Sequence, residues 1–374
     1  MMQISPETQL FIREHSSDDV RVLALQAKKY PDIDMPTAIT QIAGRKVAAE
    51  KIPSWWEIEK IWYPKHLSLE QCSSEITARY KARLLQGDSL TDLTGGFGID
   101  CSFLATGFKS ATYVERQEEL CEIAAHNFPV LNLNHINIKN EDGVTYLQVM
   151  SPVDCLFLDP ARRNEHGGKT VAISDCEPNV AELEELLLQK ANRVMIKLSP
   201  MLDLSLALKE LKQTQEVHIL SVNNECKELL ILLGQTSPAE ISIHCVNLFT
   251  KGTQKEQHFV FTREQEQCSE CTYTDSLETY LYEPNASLLK AGAFRSIAAA
   301  YPVRKLHPNS HLYTSDTFIE NFPGRIFRIV NQCSFNKKEV KENLADLKKA
   351  NVTVRNFPAT VAEDRKSTRL NSSH

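Results

Sequence analysis

One stretch decides how the chain folds: Asp92-Leu93-Thr94-Gly95-Gly96-Phe97-Gly98-Ile99-Asp100. It closes a short β-rich run and opens a helical stretch, and its glycines permit a tight turn and a close approach of the backbone to a ligand. Beyond it, β-rich runs alternate with helical stretches, which is typical of βαβ units and a mainly parallel sheet. In such sheets, ligands bind outside the carboxyl ends of the strands, where the strand order reverses. This stretch is therefore the first candidate for a ligand site.

The alternation predicts six strands, and two helical patterns stand out between them. The strands are predicted at residues 90–94, 111–115, 136–139, 155–158, 194–198 and 217–222, and the helices at 117–127 and 178–191. Strand-like runs without helices between them follow at 228–233, 240–249 and 258–262. Consecutive strands of this kind predict an antiparallel edge on the parallel sheet. The predicted fold class is α/β: a doubly wound, Rossmann-like domain with a mixed sheet, at about residues 87–263.

Different patterns flank this domain on both sides. Residues 1–86 are predicted to be mostly helical, and the cluster that holds all three tryptophans, between residues 54 and 64, is expected to pack against the next domain. Residues 264–276 are polar and linker-like, and a small α+β module follows as two short stretches, 277–321 and 322–363. Within the second stretch, 337–349 has the pattern of an amphipathic surface helix.

Composition excludes several classes of protein. The 374 residues are 42% hydrophobic and 24% charged, which is enough apolar material for a core and argues against disorder. No apolar run approaches the length of a membrane span, and no export signal is visible. Ten cysteines without framework spacing favour reduced thiols in a cytoplasmic protein. The net charge of -6 means that a nucleic-acid partner would need a local basic patch.

The last eleven residues, 364–374, match the translation of a common sequencing-adapter oligonucleotide. We therefore leave them out of the fold prediction and expect the natural C-terminus to be missing. A genuine polar tail is the alternative.

The glycine-rich stretch does not fit a dinucleotide site. That fingerprint needs a third glycine where this chain has Cys101, and Asp92 at the strand end would repel a pyrophosphate. A cationic ligand suits Asp92 better, and the α-ammonium of S-adenosylmethionine is such a group. Asp92 therefore predicts a site for S-adenosylmethionine.

Three more carboxylates follow successive predicted strands. Glu115 is predicted to accept from the ribose hydroxyls, with a surface pairing to Arg116 as the alternative. Asp142 is predicted to face the adenine amino group, which is compatible with capping a helix. Asp159, with Pro160 fixing the chain behind it, is predicted to orient the attacking nucleophile and to stabilise its developing positive charge. A loop carboxylate paired with Arg162 or Arg163 is the alternative for Asp159.

These four motifs resemble those of class I S-adenosylmethionine-dependent methyltransferases. The whole chain resembles a bacterial methyltransferase family that ends in a ferredoxin-like piece and a THUMP-like domain, here 277–321 and 322–363. Two further stretches carry the match: Glu70-Gln71-Cys72-Ser73-Ser74-Glu75 with Thr77-Ala78-Arg79-Tyr80-Lys81-Ala82, and Tyr282-Glu283-Pro284-Asn285-Ala286-Ser287-Leu288-Leu289-Lys290-Ala291-Gly292.

The resemblance implies a cofactor, a substrate class and site residues. It implies that S-adenosylmethionine is bound by Asp92, Thr94, Gly95, Gly96, Gly98, Glu115 and Asp142, with Asp159 and Pro160 at the catalytic position. It also implies an RNA substrate, a tRNA or rRNA, because THUMP domains are associated with RNA modification.

One departure from the related methyltransferases leaves the target atom open. Enzymes that methylate an amino group of a base usually have a second proline and an aromatic residue after the first proline, where this chain has Ala161 and Arg162. Arg162 and Arg163 then become candidate phosphate contacts.

A basic window in the C-terminal part favours RNA independently. Between Glu283 and Asp316 there is no acidic residue, and four positive charges are present: Lys290, Arg295, Arg304 and Lys305. Such a stretch predicts a phosphate-binding face, on which Tyr301 and Tyr313 could stack on exposed bases. A chance run of ordinary surface and core is the alternative.

Other functions stay open at this point. The chain could methylate a protein or a small molecule, with the C-terminal part as a lid, or it could bind RNA without catalysis. The lone Cys268-Ser269-Glu270-Cys271 lacks the second ligand pair of a zinc site, so we expect no metal. Lys197, at the end of a predicted strand, lines the cleft or pairs with an acidic neighbour.

Overall fold

The structure is a computed structural model, and its backbone falls into two units. The described residues are 4–162, 172–236, 238–334, 336–345, 351 and 353. Unit one comprises Met1–Ser242 and Leu248–Lys255, and unit two comprises Ile243–Asn247 and Glu256–His374. Residues 364–374, attributed above to an adapter, lie outside the described residues.

Unit one begins with helices, as predicted for residues 1–86. They are α1 (Pro6–Glu14), α2 (Val20–Leu25), a 3-10 turn (Ala27–Lys29), α3 (Met35–Lys51), α4 (Pro53–Trp56), α5 (His66–Gln71) and α6 (Glu75–Ala82). Side chains of Ser5, Asp19 and Asp34 accept hydrogen bonds from the first free N–H groups of α1, α2 and α3. These caps explain where the helices begin.

The tryptophan cluster packs against the α/β part, as expected. Trp55 is buried and meets Phe97 of the glycine-rich stretch edge-on, with ring centroids 5.2 Å apart. Trp62 stacks on His126 at 3.7 Å. The helical region therefore shares its core with the sheet domain, and both lie in unit one.

The α/β part of unit one follows the predicted alternation. Its elements are β1 (Ser89–Asp92), α7 (Ile99–Ala105), β2 (Ser110–Val114), α8 (Glu118–Val130), β3 (Ile136–Lys139), α9 (Gly143–Val149), β4 (Val153–Leu158), β5 (Ala161–Arg162), a 3-10 turn (Ile173–Asp175), β6 (Cys176–Glu177), α10 (Val180–Lys190), β7 (Ala191–Leu198), α11 (Leu204–Glu210), β8 (Thr214–Val222) and β9 (Glu225–Gly234).

Seven of these strands form a mixed sheet within unit one, in the order β8-β9-β7-β4-β1-β2-β3. Strands β7, β4, β1, β2 and β3 pair in parallel. From β1 the chain proceeds outward through β2 and β3, then returns to the other side of β1 with β4. The strand order therefore reverses between β1 and β4, which is where such sheets bind ligands.

The antiparallel strand β9 adjoins the last of the parallel strands, so the sheet is mixed, as predicted. It lies between β7 and β8 and pairs antiparallel with both. Asn223 and Asn224, both with positive φ (49° and 66°), form the tight turn that folds β9 back along β8. The run Leu229–Leu233 is completely buried, and a continuous apolar run of this kind suits a strand that is covered on both faces.

Unit two contains the remaining elements. They are β10 (Ser242–Leu248), whose two end residues belong to unit one, β11 (Glu256–Thr262), α12 (Arg263–Cys268), β12 (Tyr280–Pro284), α13 (Ala286–Ala291), α14 (Ser296–Ala300), β13 (Arg304–His307), β14 (Ser310–Ser315), β15 (Gly324–Arg328) and α15 (Lys337–Asn343).

Strands of unit two form a second, antiparallel sheet in the order β13-β14-β12-β15. Because β12 pairs with β15, the two predicted stretches 277–321 and 322–363 share one sheet. The prediction that 264–276 is only a linker was wrong in part, because α12 is a helix capped by Thr262. Its Glu266 accepts hydrogen bonds from the backbone N–H groups of residues 294–296, at the start of α14.

Across the described residues, no helix combines the length and apolarity that a membrane crossing requires.

Candidate functional site

The four predicted carboxylates lie at one edge of the sheet. Asp92 is the last residue of β1, Glu115 follows β2, Asp142 precedes α9 after β3, and Asp159 follows β4. These strands are neighbours and parallel, so their carboxyl ends meet at the same edge. The topology therefore gathers side chains that are up to 67 positions apart in sequence.

The glycine-rich loop packs directly on β2. The N–H of Gly95 donates to the carbonyl of Val114 at 2.9 Å, and a Cβ at Gly95 would lie 2.3 Å from the ring of Tyr113. Gly96 and Gly98 have φ of +54° and +87°, in the left-handed region that favours glycine. A side chain at these positions would be strained or would fill the loop, so the sequence needs glycine for this shape.

Asp92 is a buried carboxyl with one unused oxygen. Its Oδ1 accepts from the N–H of Thr94 at 2.9 Å, whereas Oδ2 is buried without a hydrogen-bond partner among the described residues. Burial raises the pKa of Asp92 to about 8, and neighbouring carboxylates add to this rise, while the hydrogen bond from Thr94 opposes it. The site thus holds an acceptor that lacks a positive partner.

Thr94 joins the ends of β1 and β4. Its Oγ1 accepts from the backbone N–H of Asp159 at 2.6 Å, while its own N–H donates to Asp92. The side chain of Thr94 therefore fixes the spacing between the predicted cofactor carboxyl and the predicted catalytic carboxyl.

Glu115 holds the glycine-rich loop. Its Oε2 accepts from the N–H of Gly96 at 2.9 Å and its Oε1 accepts from the N–H of Gln117 at 2.8 Å. The side chain is almost fully buried, and Arg116 instead lies near Glu177, so the alternative of a surface pair with Arg116 is wrong. Each carboxylate oxygen keeps a second lone pair that can accept a further hydrogen bond.

Asp142 caps helix α9. Its Oδ1 accepts from the N–H groups of Val144 and Thr145, at 3.0 Å each, and the residue is exposed. The next residue, Gly143, has no room for a side chain, because a Cβ there would lie 2.1 Å from the carbonyl oxygen of Leu93. Capping fixes the carboxyl beside the loop, as the sequence analysis allowed.

Asp159 pairs with a lysine that is far away in sequence. Its Oδ2 forms an ion pair with Nζ of Lys197 on β7, the next strand in the sheet. The alternative partners considered above were Arg162 and Arg163. Arg162 pairs through its backbone with Cys176, its side chain is not described, and Arg163 lies outside the described residues. Pro160 is buried directly behind Asp159.

Behind Lys197 lies a buried charged network that the sequence analysis missed. Lys81 of α6 is fully buried and donates to Ser73 Oγ at 2.8 Å and to Glu228 Oε2 at 2.7 Å, and it lies 2.9 Å from Asp100 Oδ1. Ser73 Oγ also donates to Asp100 Oδ2 at 2.7 Å. A charged residue next to a continuous apolar run, such as Glu228 before Leu229–Leu233, is the signal that would have predicted a buried ion pair.

The network favours the charged forms of Asp100 and Lys197. Burial acts to raise the pKa of Asp100, but Lys81 and Lys197 outweigh burial and lower this pKa below its usual range. Burial likewise acts to lower the pKa of Lys197, but Asp159 and Asp100 are the strongest of the charges that raise it. Lys197 therefore stays an ammonium group at neutral pH.

The basic window of unit two does not form a single basic face. Lys305 is 1% exposed, and its ammonium donates to the backbone carbonyls of His307, Pro308 and Ser310 at 2.6–2.8 Å. The prediction that Lys305 binds phosphate was wrong, because this ammonium is occupied inside the fold. Tyr313 is also fully buried, with its hydroxyl on the carbonyl of Phe294, so its predicted stacking on bases was wrong as well.

The other predicted basic residues are more accessible. Arg295 is exposed and donates to the carbonyl of Gln267, and Arg304 is exposed and paired with Glu278. Lys290 lies in the last turn of α13 and is half-buried. Tyr301 is half-buried against Phe259 and Phe322. Of the predicted phosphate-binding residues, Arg295 and Arg304 thus remain exposed.

The distinctive stretch around Glu283 is structural in unit two. Glu283 is buried and accepts from Arg325 Nε at 2.8 Å, across the β12–β15 pair. Asn285 caps α13 through the N–H of Leu288 and donates to Gln257 Oε1 at 3.1 Å. These bonds explain why this short sequence is specific for the fold of the C-terminal part.

Two family models match the C-terminal part of the chain. A ferredoxin-like domain matches residues 280–323 and a THUMP domain-like model matches residues 324–374. The boundary between the two models lies immediately before β15. No curated protein matches the chain.

Solved structures similar to this one include a "putative methyltransferase" from Porphyromonas gingivalis W83. It is 34% identical, with 98% of this chain and 93% of that chain covered and a TM-score of 0.86. An rRNA methylase from Streptococcus thermophilus (16% identity, 42% and 93% covered, TM-score 0.31) and a "putative methyltransferase" from Streptococcus mutans in complex with SAH (14%, 43% and 96%, 0.31) are more distant.

The Porphyromonas protein matches this chain over nearly its whole length, and the C-terminal models match where the sequence predicted them. The sheet reverses its strand order beside a glycine-rich loop that ends in buried carboxyls. The chain belongs to the class I S-adenosylmethionine-dependent methyltransferase family whose members end in ferredoxin-like and THUMP-like domains.

Proposed function

We propose that this protein is a methyltransferase that uses S-adenosylmethionine to methylate a nucleobase in RNA. The observation that carries the proposal is Asp92 Oδ2, a buried acceptor beside the glycine-rich loop to which none of the described residues donates a hydrogen bond. Burial raises the pKa of Asp92 to about 8 because it destabilises the ionised carboxylate, and a cation beside this carboxylate would stabilise it strongly. The α-ammonium of S-adenosylmethionine is a cation of the required kind.

The residues around Asp92 fit the rest of that cofactor. At Gly95 and Gly96 the loop has no side chains, so a ligand can approach the backbone closely. Glu115 and Asp142 follow the next two strands, and their carboxylate oxygens can accept hydrogen bonds from hydroxyl and amino groups. A pyrophosphate would instead face four carboxyl groups in this cleft. The arrangement therefore favours a cationic nucleoside over a dinucleotide.

The chemistry asks little of the protein besides positioning. S-adenosylmethionine, when bound, supplies a methyl group on a positively charged sulfur. Asp159 accepts a hydrogen bond from the attacking N–H, which orients the nitrogen lone pair and stabilises the positive charge that develops there. The new N–C bond forms as the C–S bond breaks, the bonding pair stays on sulfur, and the nitrogen then loses its proton to Asp159 or to water.

RNA is the proposed substrate because of unit two. Its THUMP domain-like match supports an RNA partner, because THUMP domains are associated with RNA modification, and the arginines Arg295, Arg304, Arg325 and Arg328 are exposed there. Guanidinium groups bind phosphates with well-defined geometry. We also propose a cytoplasmic location, since RNA is found there and the ten cysteines are free thiols, as in a reducing compartment.

A radiolabel experiment tests the proposal. Full-length protein and S-adenosylmethionine with a tritiated methyl group are incubated with total RNA from a strain that lacks the gene, and with RNA from the parent strain. We expect label in RNA from the deletion strain and little in RNA from the parent, in which the site is already methylated. Label in protein or in small molecules would favour the alternative substrate classes, and cofactor binding without any transfer would favour a non-catalytic module.

A further inference from the structure

The buried network in unit one ends at a single carboxylate that faces the cleft. The side chains of Lys81, Asp100, Glu228 and Lys197 are 0–11% exposed, whereas that of Asp159 is 36% exposed. Lys197 links the two parts, because its Nζ is paired with Asp159 and lies 3.6 Å from Asp100 Oδ2. The network therefore connects the protein interior to the predicted catalytic position.

Stability alone is a poor reason for this arrangement. Two ammonium groups and three carboxylates must lose most of their water to reach these positions, and buried ion pairs often stabilise a fold no more than apolar residues would. The cost is offset only if the geometry is good and the remaining atoms are hydrogen-bonded. Here Ser73 and Lys81 occupy both oxygens of Asp100, which keeps Asp100 in place behind Lys197.

The pairing also leaves Asp159 suited to one task. Oδ2 is occupied by Lys197, and the backbone N–H of Asp159 is tied to Thr94 Oγ1. Rotation of the carboxylate is thereby restricted, and Oδ1 is presented as an acceptor. A neutral carboxyl would carry a proton and would donate or accept in either orientation.

We propose that Lys197 is a positioning residue for methyl transfer: its ion pair with Asp159 fixes one oxygen of that carboxylate and favours its ionised form, so that the second oxygen accepts from the attacking N–H. Ser73 and Lys81, from the helical N-terminal region, hold Asp100 and thereby Lys197. This inference rests on the proposed methyltransferase function. If it holds, residues of the helical N-terminal region position the side chains of the active site as well as cover it.

Removal of Lys197 has a defined electrostatic result. The charged groups around Asp159 are Lys197 and Lys81, which favour its ionised form, and Asp100 and Asp92, which oppose it when ionised. Burial already acts to raise the pKa of Asp159, and Lys197 is the strongest opposing influence. Without Lys197, this pKa rises, and Asp159 carries a proton over more of the neutral range.

The test uses four variants of the full-length protein: Lys197→Met, Lys197→Arg, Asp159→Asn and the double variant Lys197→Met/Asp159→Asn. Arg193→Met is the matched control, because Arg193 lies on the same strand and loses an ion pair with Glu216 at 2.9 Å. The first readout is the ionisation of Asp159, followed by carbon-13 NMR of labelled aspartate carboxyls and assigned by difference from Asp159→Asn. The second is methyl transfer into RNA from the deletion strain.

We expect Lys197→Met to raise the midpoint of the Asp159 titration by about one unit or more. We expect its turnover to fall by about 100-fold, with the affinity for S-adenosylmethionine changed less than about threefold. The low-pH limb of its rate profile should move to higher pH. Lys197→Arg should recover most of the turnover, and the double variant should turn over no more slowly than Asp159→Asn, because both act through one carboxylate.

The outcomes separate this inference from the proposed function. An unchanged Asp159 titration in Lys197→Met, or wild-type turnover in that variant, overturns the positioning role. If Lys197→Met does not fold, the double variant Lys197→Met/Asp159→Asn provides the test. The positioning role is overturned if this double variant folds and its turnover is well below that of Asp159→Asn. Failure of wild-type protein to methylate RNA refutes the proposed substrate, while the NMR titration still decides whether Lys197 controls Asp159.

Discussion

For the cleft of unit one and for the basic window of unit two, the sequence predicted that charged residues lie together in space. The structure brings the acids of the cleft together, whereas it separates the cations of the window. In the cleft, four acids that follow successive strands lie at one edge of the sheet. In the window, four cations within 16 consecutive positions are separated by the fold: Lys305 is buried on carbonyls and Arg304 is paired with Glu278.

The difference teaches which sequence patterns constrain position. The end of a parallel strand is a place in space, because all such ends share one edge of the sheet. A window of sequence without acidic residues does not define a position in the fold, because acidic residues from other parts of the chain can pack beside it. Glu266 and Glu278 lie outside the window, yet they contact Arg295 and Arg304 or their backbone.

The largest effect is expected at Asp159. Asp159→Asn keeps the shape but loses the ionised acceptor, so turnover of RNA methylation should fall by about 100-fold or more. The affinity for S-adenosylmethionine, measured by calorimetry, should change less than about threefold, since Asp92 and Glu115 are untouched. Asp154→Asn, at the other end of the same strand, is the control and should retain turnover. Equal loss of affinity and turnover in Asp159→Asn would place Asp159 in the cofactor site alone.

Next in size is the buried lysine of unit two. Lys305→Met leaves the carbonyls of residues 307, 308 and 310 without their donor, which should lower the free energy of unfolding by about 2 kcal/mol or more. Urea titration of the full chain measures this, with the exposed Arg328→Met as control, for which the change should stay within about 0.5 kcal/mol. RNA affinity of the folded Lys305→Met protein should be unchanged. Weaker RNA binding without a loss of stability would restore Lys305 to the phosphate-binding face.

Asp92 should affect affinity and stability in opposite directions. Asp92→Asn should weaken S-adenosylmethionine binding by about tenfold, because the ammonium loses a charged acceptor. The same change should stabilise the cofactor-free protein near neutral pH. A carboxyl whose pKa rises on folding to about 8 contributes stability that is present in acid and is lost as the pH rises toward 8, whereas asparagine has no such loss.

Thermal unfolding across this pH range measures the second effect, with Asp142→Asn as the control. Wild-type stability should fall between about pH 4 and pH 8 more steeply than that of Asp92→Asn. Parallel curves for the two proteins would show that the Asp92 carboxyl is not held in the buried, unpartnered form.

The smallest effect is expected at the exposed surface of unit two. Arg295→Ala should weaken RNA binding by about threefold and reduce the slope of log affinity against log salt by about one, as expected for the loss of one phosphate contact. Fluorescence anisotropy with RNA from the deletion strain at several salt concentrations measures both quantities. An unchanged slope would remove Arg295 from the RNA-binding surface.

The features that could be predicted from the sequence are those that depend on hydrophobic periodicity and on the positions of strand ends. The parallel strands, the glycine-rich loop and the gathering of Asp92, Glu115 and Asp159 follow from local patterns combined with one topological rule. The interior position of β9 could not be predicted in this way, because strand order depends on the turn at Asn223–Asn224 and on burial of both faces.

The charged network shows the second limit. Ser73, Lys81, Asp100 and Glu228 are brought together over as many as 155 positions, and of these four only Glu228, which precedes the apolar run Leu229–Leu233, carries a local sign of burial. In the sequence, Ser73 stood out only within the stretch 70–75 that resembles the methyltransferase family, whereas in the structure its hydroxyl donates to Asp100. Contacts between distant side chains that depend on packing are the part that a single sequence does not reveal.

Titration of the full-length protein with S-adenosylmethionine and, separately, with NAD by calorimetry tests the central claim most directly. The cleft that Asp92 closes should bind S-adenosylmethionine with an affinity of about 1–100 μM and should show no measurable heat with NAD. Binding of NAD in that range, together with no binding of S-adenosylmethionine, would contradict the account.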